Sequence, residues 1–546
     1  MGNTALRDGA LTTNAEVSST ADPTPRPESN WQLRLRSGAV VLDLNPRVFV
    51  ASSLLIALFV ILGLVYRTRF AADVDALQTW IADRTGWLLV LTVNAVLVYL
   101  LFLLVSRFGA IRIGGPNARP EFSRPTWIAM LFSAGMGIGL LYYGVAEPIY
   151  HLANRPLGAA AGSVAAYRDA SKLTFLHWGL HAWGVYTLAG LALGYAAYSR
   201  GEALSIRSVF VPLFGRHTRG WPGHIIDILA TVATLFGVAT SLGLGVLQIN
   251  AGLGRLFGAP VTLTVQVAVI TIITAIATMS VVLGLDKGIK RLSVVNMWLA
   301  FALLALVFAI GPSLFILNGF VQNVGAYLGS LVELSFWTET YTSGDWQNRW
   351  TVFYWAWWIS WSPFVGLFLA RVSVGRTIRD FIGGALLTAS LLTFVWLAVF
   401  GNAALFIELA GPGGLMTAVQ TNLDSSLFVF FDLLPSANGI PVPDWLILAI
   451  STLTIVTIVS FFVTSSDSGS LVIDIITAGG HPDPPLAQRV YWATAEGVVA
   501  AVLLAGGGLA ALQTAAISAG LPFAIVILLM IVCLHRMLRE DPSLAT

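Results

Sequence analysis

Charged residues and cysteines are scarce in this sequence. Only 11% of its 546 residues are Asp, Glu, Lys or Arg, whereas soluble domains carry roughly 25%. The single cysteine, Cys533, excludes an internal disulfide bond and a paired-thiol redox motif. The sequence also lacks a Gly-Lys-Ser phosphate loop, a Cys/His metal cluster and a nucleophile–base motif in its apolar segments. We therefore expect neither an enzyme nor an ATP-driven pump, and no organic cofactor.

Apolar residues make up 56% of the chain and are gathered in long uncharged runs. The runs from Val48 to Tyr66 and from Trp87 to Val105 are each close to the ~20 residues that a helix needs to cross a bilayer. About twelve such runs follow one another along the chain. The sequence therefore predicts an all-α polytopic membrane protein with twelve transmembrane helices, numbered below as spans 1 to 12.

Lys and Arg are concentrated in alternate loops between these runs, and the loop from Glu408 to Asp444 has none. By the positive-inside rule this pattern places both termini in the cytoplasm, with the spans in the plasma (inner) membrane. The formal net charge of +2 is not gathered in one basic patch, so we expect no nucleic-acid partner.

Four segments are predicted to lie outside the spans. Residues 1–45 are polar and predict a disordered cytoplasmic tail, and residues 536–546 predict a short one. The segments from Gly319 to Phe336 and from Thr417 to Leu434 are amphipathic, and we expect both on the outer surface.

Span 3 contains three alternating glycines, Gly135, Gly137 and Gly139. Glycine lowers helix stability by roughly 1 kcal/mol relative to alanine, so this stretch is easily unwound. Unwound backbone at membrane depth is tolerated where it lines a cavity or is buried in protein, and it can then bind ions or polar groups. The alternative is close helix packing through small residues.

Spans 4 and 8 carry aromatic faces. On an ideal helix Trp178, Trp183 and Tyr186 share one broad face of span 4. In span 8 the residues Tyr354, Trp357, Trp358 and Trp361 fall within an arc of about 100°, while Trp355 points elsewhere. An interfacial belt or core packing are alternatives. However, a deep aromatic face suits a desolvated cation, above all a quaternary ammonium group.

A proline and a glycine, Pro363 and Gly366, suggest that span 8 is broken as span 3 is. Interrupted helices at corresponding positions of two halves are typical of inverted-repeat secondary transporters. We therefore expect peripheral spans 1 and 2 in residues 46–120, a first repeat of spans 3 to 7 in residues 121–335, and an inverted second repeat of spans 8 to 12 in residues 336–535.

Span 10 contains adjacent hydroxyl groups at Thr464 and Ser465. Next to unwound carbonyl groups they could complete an oxygen shell for a small hard cation such as sodium. The alternative is that each hydroxyl bonds a carbonyl of its own helix, as Ser and Thr often do in membranes.

Together these motifs resemble the betaine/choline/carnitine transporter (BCCT) family. The resemblance is carried by the Phe132 to Leu140 stretch with Glu147-Pro148, by His-Trp-Gly-Leu-His-Ala-Trp from His177 to Trp183, and by the long run from Trp355 to Arg379. It extends over residues 45 to 535. The family implies twelve helices, an inverted repeat and, usually, a homotrimer.

The resemblance also implies site residues. The aromatic box of the family falls on Trp178, Trp183, Tyr186 and Trp358, with Trp361 lining the central site. Substrate would also face the unwound backbone of span 3 at Gly135, Met136, Gly137 and Gly139. The sodium site of sodium-coupled members falls on Ser133, Met136, Phe461, Thr464 and Ser465.

Three positions bear on substrate and coupling. Relatives that transport choline, a net cation, tend to have Asp where this chain has Gly139. A zwitterion carries its own carboxylate and would not need that buried acid, which is costly in a membrane. Sodium-independent exchangers of the family place a cation in span 5, and none lies between Ile225 and Asn250. A second sodium site would use hydroxyls at Thr234 and Val238; Val238 has no oxygen, which leaves the sodium stoichiometry open.

We therefore expect a secondary transporter that imports a quaternary ammonium or dimethylsulfonium zwitterion, such as glycine betaine, with sodium and by alternating access. The alternatives are a sodium-independent substrate/product antiporter and a proton-coupled choline importer. A membrane sensor is a further alternative from another class, but no signalling domain is recognisable in the sequence.

Overall fold

A computed structural model describes residues 30–37, 40–135, 137–282, 286–342 and 344–544. Nearly all of these residues are helical, and one short hairpin precedes the first helix. The membrane-protein class and the all-α architecture expected from the apolar runs are confirmed.

The N-terminal hairpin consists of β1 (Trp31–Arg34) and β2 (Val40–Leu44), which pair antiparallel with Trp31 opposite Leu44. It is anchored to the helical bundle because the backbone N–H of Asp43 donates to the side-chain carbonyl of Gln488 at 2.5 Å. The expectation of a disordered tail through residue 45 is therefore wrong for the hairpin; residues 1–29 of that tail lie outside the described residues.

Helices make up the chain after the hairpin. Up to residue 336 they are α1 Pro46–Val65, α2 Arg67–Val105, α3 Arg124–Gly135, α4 Ile138–Asn154, α5 Val164–Trp178, α6 Leu180–Gly194, α7 Val211–Phe214, α8 Trp221–Phe257, α9 Leu263–Val282, α10 Asp286–Ile310, α11 Ser313–Gly329 and α12 Leu331–Phe336. The later helices are α13 Trp346–Arg349, α14 Thr351–Val372, α15 Ile378–Ile382, α16 Ala389–Leu397, α17 Ala403–Leu409, α18 Leu415–Thr421, α19 Ser426–Asn438, α20 Asp444–Thr477, α21 Leu486–Gly507 and α22 Leu509–Arg539. Two π-helical turns, Gly383–Thr388 and Ala398–Asn402, join α15, α16 and α17 into one span.

Within the described residues, nine helical segments are long and apolar enough to cross a membrane, or up to eleven if each of two bent pairs counts as one span. The count of twelve and the inverted repeat remain predictions. The first amphipathic segment forms α11 and α12, and α11 turns by 110° from the end of α10. The second forms α18 and α19 before α20.

Helix α14 lies at the centre of the bundle. In the span from Trp346 to Val372, 94% of the most apolar 18-residue stretch is buried, whereas only 22% of the corresponding stretch of α1 is buried. The aromatic run of span 8 is therefore enclosed by protein, whereas α1 presents most of its surface outward. This burial excludes the interfacial belt as the explanation for the tryptophans of α14.

The helix breaks fall in part where the sequence predicted them. Span 3 is interrupted between α3 and α4, which are inclined by 69°. The predicted break in span 8 is wrong, because α14 continues through Pro363. Proline removes the N–H that would bond the carbonyl four residues earlier, and the Ser362 hydroxyl instead donates to that carbonyl, of Ile359, at 2.7 Å.

Candidate substrate site

Four aromatic side chains from three helices meet in the interior of the bundle. The ring centroids of Trp178 and Trp358 are 4.9 Å apart, those of Tyr186 and Trp358 6.1 Å, and those of Trp183 and Tyr186 5.9 Å. Interplanar angles of 67° to 89° make each pair edge-to-face. The rings of a pair are therefore not stacked on each other's faces. No ring is more than 3% exposed. We call these four residues the aromatic box.

A helix break that the sequence did not indicate shapes one side of the box. The continuous helix expected for span 4 is not found: the span divides at Gly179 into α5, which ends at Trp178, and α6, which carries Trp183 and Tyr186. A Cβ on Gly179 would lie 2.5 Å from the carbonyl oxygen of Phe175 and 2.6 Å from the ring of Phe394. Only glycine fits there, and the box residues of span 4 belong to two short helices.

The glycines of span 3 lie directly against the box. A Cβ on Gly135 would approach Cη2 of Trp183 to 2.6 Å, and one on Gly139 would approach Cη2 of Trp178 to 2.8 Å. Gly137, between them, precedes α4 and faces the ring of Phe461. Gly135 and Gly139 therefore form a floor of bare backbone beneath two of the rings; Met136 lies outside the described residues.

The tryptophans of α14 have different surroundings. Trp357 stacks on Trp358 with centroids 4.8 Å apart, behind the box. Trp355 points away and packs on His181, with centroids 5.1 Å apart. Trp361 lies apart from the box: it packs on Gly237 of α8, and its indole N–H has no partner among the described residues.

A buried carboxylate, the Glu147 of the Glu147-Pro148 motif, lies behind the box. Glu147 of α4 is fully buried, and its Oε2 accepts hydrogen bonds from Trp178 at 2.7 Å and from the Tyr354 hydroxyl at 2.5 Å. Its Oε1 faces His177 Nδ1 at 2.6 Å and His151 Nε2 at 3.2 Å. An acid inside an apolar segment was the available signal, because such residues are rare in membranes and are usually functional.

The atoms of Glu147, His151 and His177 that could ligate a metal lie within 4.8 Å of one another. A zinc ion would bind each oxygen or nitrogen at about 2.0–2.2 Å. The separation of 2.6 Å between Oε1 and His177 Nδ1 is instead that of a direct charge-assisted hydrogen bond. The cluster is therefore a hydrogen-bonded carboxylate.

Two of the candidate sodium residues, Phe461 and Ser465, lie where α20 passes the break in span 3. A Cβ on Gly137 would be 3.5 Å from the ring of Phe461 and 4.0 Å from Ser465 Oγ. The Thr464 hydroxyl donates to the carbonyls of Ser460 and Phe461 in its own helix, at 3.0 and 3.1 Å, and accepts from Asn296 at 2.8 Å. A hydroxyl has one hydrogen and two lone pairs, so one lone pair of Thr464 remains for a cation.

These observations define a class of protein: a polytopic helical membrane transporter with a closed, aromatic-walled site beside a broken helix. The chain belongs to the betaine/carnitine/choline (BCCT) transporter family, whose model matches residues 47–543. It is accordingly a transporter and not an enzyme.

Characterised relatives are similar over nearly the whole chain. A glycine betaine/proline/choline transporter of Vibrio parahaemolyticus is 44% identical over 94% of this chain and 93% of its own length. A glycine betaine transporter of Acinetobacter baylyi is 43% identical over 92% and 74% of the two chains. The glycine betaine transporter OpuD of Bacillus subtilis is 43% identical over 85% and 88%.

Proposed function

We propose that this protein imports a quaternary ammonium or dimethylsulfonium zwitterion, with glycine betaine as the first candidate, in symport with sodium. The aromatic box is the observation that carries the proposal. An onium head has no N–H group to donate, so it is recognised by ring faces rather than by hydrogen bonds. The box offers four aromatic side chains in a water-excluded site, where each cation–π contact is worth about 2 kcal/mol.

The carboxylate of the zwitterion would face the other side of the site. The backbone at Gly135 and Gly139 lies against the rings of Trp183 and Trp178, and Gly137 precedes the start of α4 between them; backbone N–H groups at a helix start are suited to anions. The buried Trp361 N–H, which has no partner among the described residues, is a second donor for the carboxylate. The names of the relatives agree with this substrate class, since each includes glycine betaine.

Sodium would bind between span 3 and α20, at Ser133, Met136, Phe461, Thr464 and Ser465. In support, Ser465 and Phe461 lie against Gly137 in the break of span 3. A cation shared by these two segments would hold them together, and substrate bound on the same broken helix would then be coupled to the ion.

Alternating access is supported by the burial of the box. Because no box ring is more than 3% exposed, substrate can enter or leave only when the surrounding helices move. A transporter that opens to each side in turn needs such a closed state. The same proposal includes twelve spans in the inner membrane, in which spans 3 to 7 are repeated with inverted orientation as spans 8 to 12. Both termini would lie in the cytoplasm, and the protein would assemble as a homotrimer.

Uptake of labelled glycine betaine into proteoliposomes tests the proposal. The assay compares an inward sodium gradient with an equal potassium gradient, and competes the label with choline, carnitine, dimethylsulfoniopropionate and proline. We expect sodium-driven accumulation and the strongest competition from methylated onium zwitterions.

Two variants with matched chemistry make the test specific. Trp358→Leu removes one box ring and should weaken betaine uptake about tenfold, the equivalent of 1.4 kcal/mol. Trp298→Leu removes a tryptophan of α10 that is 67% exposed and should leave uptake unchanged. Equal uptake without sodium would contradict symport, and counterflow without any ion gradient would favour the antiporter.

A further inference from the structure

The carboxylate of Glu147 is the meeting point of three helices. Glu147 lies on α4, while its partners Trp178 and His177 lie on α5 and Tyr354 lies on α14. These partners are 31, 30 and 207 residues away along the chain. Glu147 thus connects α4, which begins after the break of span 3, to α5 and α14, the helices that carry the box residues Trp178 and Trp358.

The hydrogen-bond pattern fits a carboxylate whose two oxygens are both engaged. An indole N–H can only donate, and the Tyr354 hydroxyl donates to the same Oε2, so that oxygen accepts twice. With His177 and His151 directed at Oε1, every partner is placed to donate to a carboxylate. A buried carboxylate in this state is well stabilised, whereas one that lost its donors would be strongly unfavourable.

Two of the four box rings depend on this carboxylate. The Trp178 indole is bound to it directly at 2.7 Å. The Trp358 indole N–H donates to the backbone carbonyl of His177 at 2.8 Å, and the His177 ring is fixed by Glu147 on one side and by Thr351 at 2.9 Å on the other. The acid therefore sets the rotation of Trp178 and the position of the residue that holds Trp358.

We propose that Glu147 is a positioning residue that determines the affinity of the box for onium groups without touching the substrate; this rests on the proposed function. Its second effect is electronic. A negative charge accepting from the indole N–H enriches the ring in electron density, which strengthens its attraction for a cation. In Glu147→Gln the side chain keeps its shape, but one carboxylate oxygen becomes an amide NH₂ group. This group can only donate, so it cannot accept the hydrogen bonds of the donors that face it.

The test measures binding and transport separately for Glu147→Gln. Betaine binding to the purified protein is followed by the change in tryptophan fluorescence, and uptake by initial rates. We expect the Kd to rise at least about tenfold, because hydrogen bonds to a charged acceptor are lost. The maximal uptake rate at saturating betaine should change much less, so the defect appears in KM.

A double-mutant comparison separates positioning from general disruption. Trp178→Phe keeps a ring but removes the N–H, so adding Glu147→Gln in that background should raise the Kd by a smaller factor than it does alone. If the factor by which Glu147→Gln raises the Kd is the same with and without Trp178→Phe, the two residues act independently and the proposal is overturned. Tyr354→Phe, which leaves the acid in place and removes one donor, provides a second variant and should raise the Kd in the same direction by a smaller factor.

Glu496→Gln is the matched control. Glu496 of α21 is also fully buried, and it accepts a hydrogen bond from Ser466 of α20 at 2.9 Å rather than from a residue of the aromatic box. This replacement should leave the Kd for betaine unchanged. An unchanged Kd in folded Glu147→Gln and Tyr354→Phe would overturn the positioning role, whereas failure of the wild-type protein to bind betaine would refute the proposed function instead.

Discussion

The indole of Trp357 stacks on that of Trp358, with centroids 4.8 Å apart and planes inclined by 14°. The same indole reaches span 3, because a Cβ on Gly139 would lie 2.9 Å from its Cη2 atom. Its other face is covered by Phe353, with centroids 5.3 Å apart. Trp357 therefore supports a wall of the box from behind and connects that wall to the broken helix.

Replacing Trp357 tests this supporting role. Trp357→Leu removes a stacked aromatic pair, which is worth about 0.5–1.5 kcal/mol beyond its buried area, and leaves a cavity beside Trp358. We expect a lower thermal unfolding midpoint and a several-fold higher Kd for betaine, measured by scanning fluorimetry and by ligand titration. Trp357→Phe preserves stacking and should lie close to wild type. A Kd for Trp357→Leu equal to that of wild type would show that Trp358 does not need its support.

The contact between Gly139 and the box predicts a strong effect from a single methyl group. In Gly139→Ala the new Cβ would lie 2.8 Å from Trp178 and 2.9 Å from Trp357, so at least one ring must shift. We expect a loss of betaine affinity of tenfold or more with the protein still folded.

A second glycine provides the control for that prediction. Gly325 of α11 has no atom within 4 Å of a Cβ position. Gly325→Ala should therefore keep wild-type affinity and raise helix stability by up to about 1 kcal/mol. If both alanine variants bind betaine as wild type does, the floor of the box does not require glycine.

Two aromatic faces could be predicted from the sequence by helix geometry, and the resemblance to the family then selected the four residues of the box. Trp178, Trp183, Tyr186 and Trp358 stand in apolar segments where leucine would be ordinary, and the structure brings all four together. The unwinding of span 3 was also predictable, since three alternating glycines weaken a helix wherever it lies.

The remaining features depend on contacts between segments that are distant along the chain. A single glycine such as Gly179 is tolerated in many helices, and its tight contact with Phe394 forms only in the folded structure. Pro363 predicts a break, but the hydroxyl of the preceding Ser362 satisfies the freed carbonyl. Glu147 was visible as an acid, whereas its donor Tyr354 is 207 residues away.

The hairpin of β1 and β2 is expected to stabilise the C-terminal end of α20. Gln488 bridges the two, because it accepts from the Asp43 N–H at 2.5 Å and donates to the buried Asp474 at 2.8 Å. Gln488→Leu leaves a buried carboxylate oxygen without this donor, which lowers stability by about 1–3 kcal/mol. The thermal unfolding midpoint should fall, while Leu486→Gln, at an exposed position on the same helix, should not lower it. A midpoint as high as that of wild type for Gln488→Leu would rule out this anchoring role.

The contacts of Thr464 predict that sodium activation and substrate affinity can be separated. Thr464→Val is close to isosteric but loses the hydroxyl, which also accepts from Asn296 at 2.8 Å. We expect the sodium concentration for half-maximal betaine uptake to rise at least about tenfold, because one oxygen ligand is lost at a site of few ligands. The Kd for betaine at saturating sodium should change little, since the box is untouched. Thr452→Val removes a hydroxyl of the same helix that bonds to the carbonyl of Leu448, and it should reproduce the wild-type sodium dependence. Unaltered sodium activation in Thr464→Val would place the coupling ion elsewhere, because a ligand hydroxyl cannot be removed without weakening the binding of the ion.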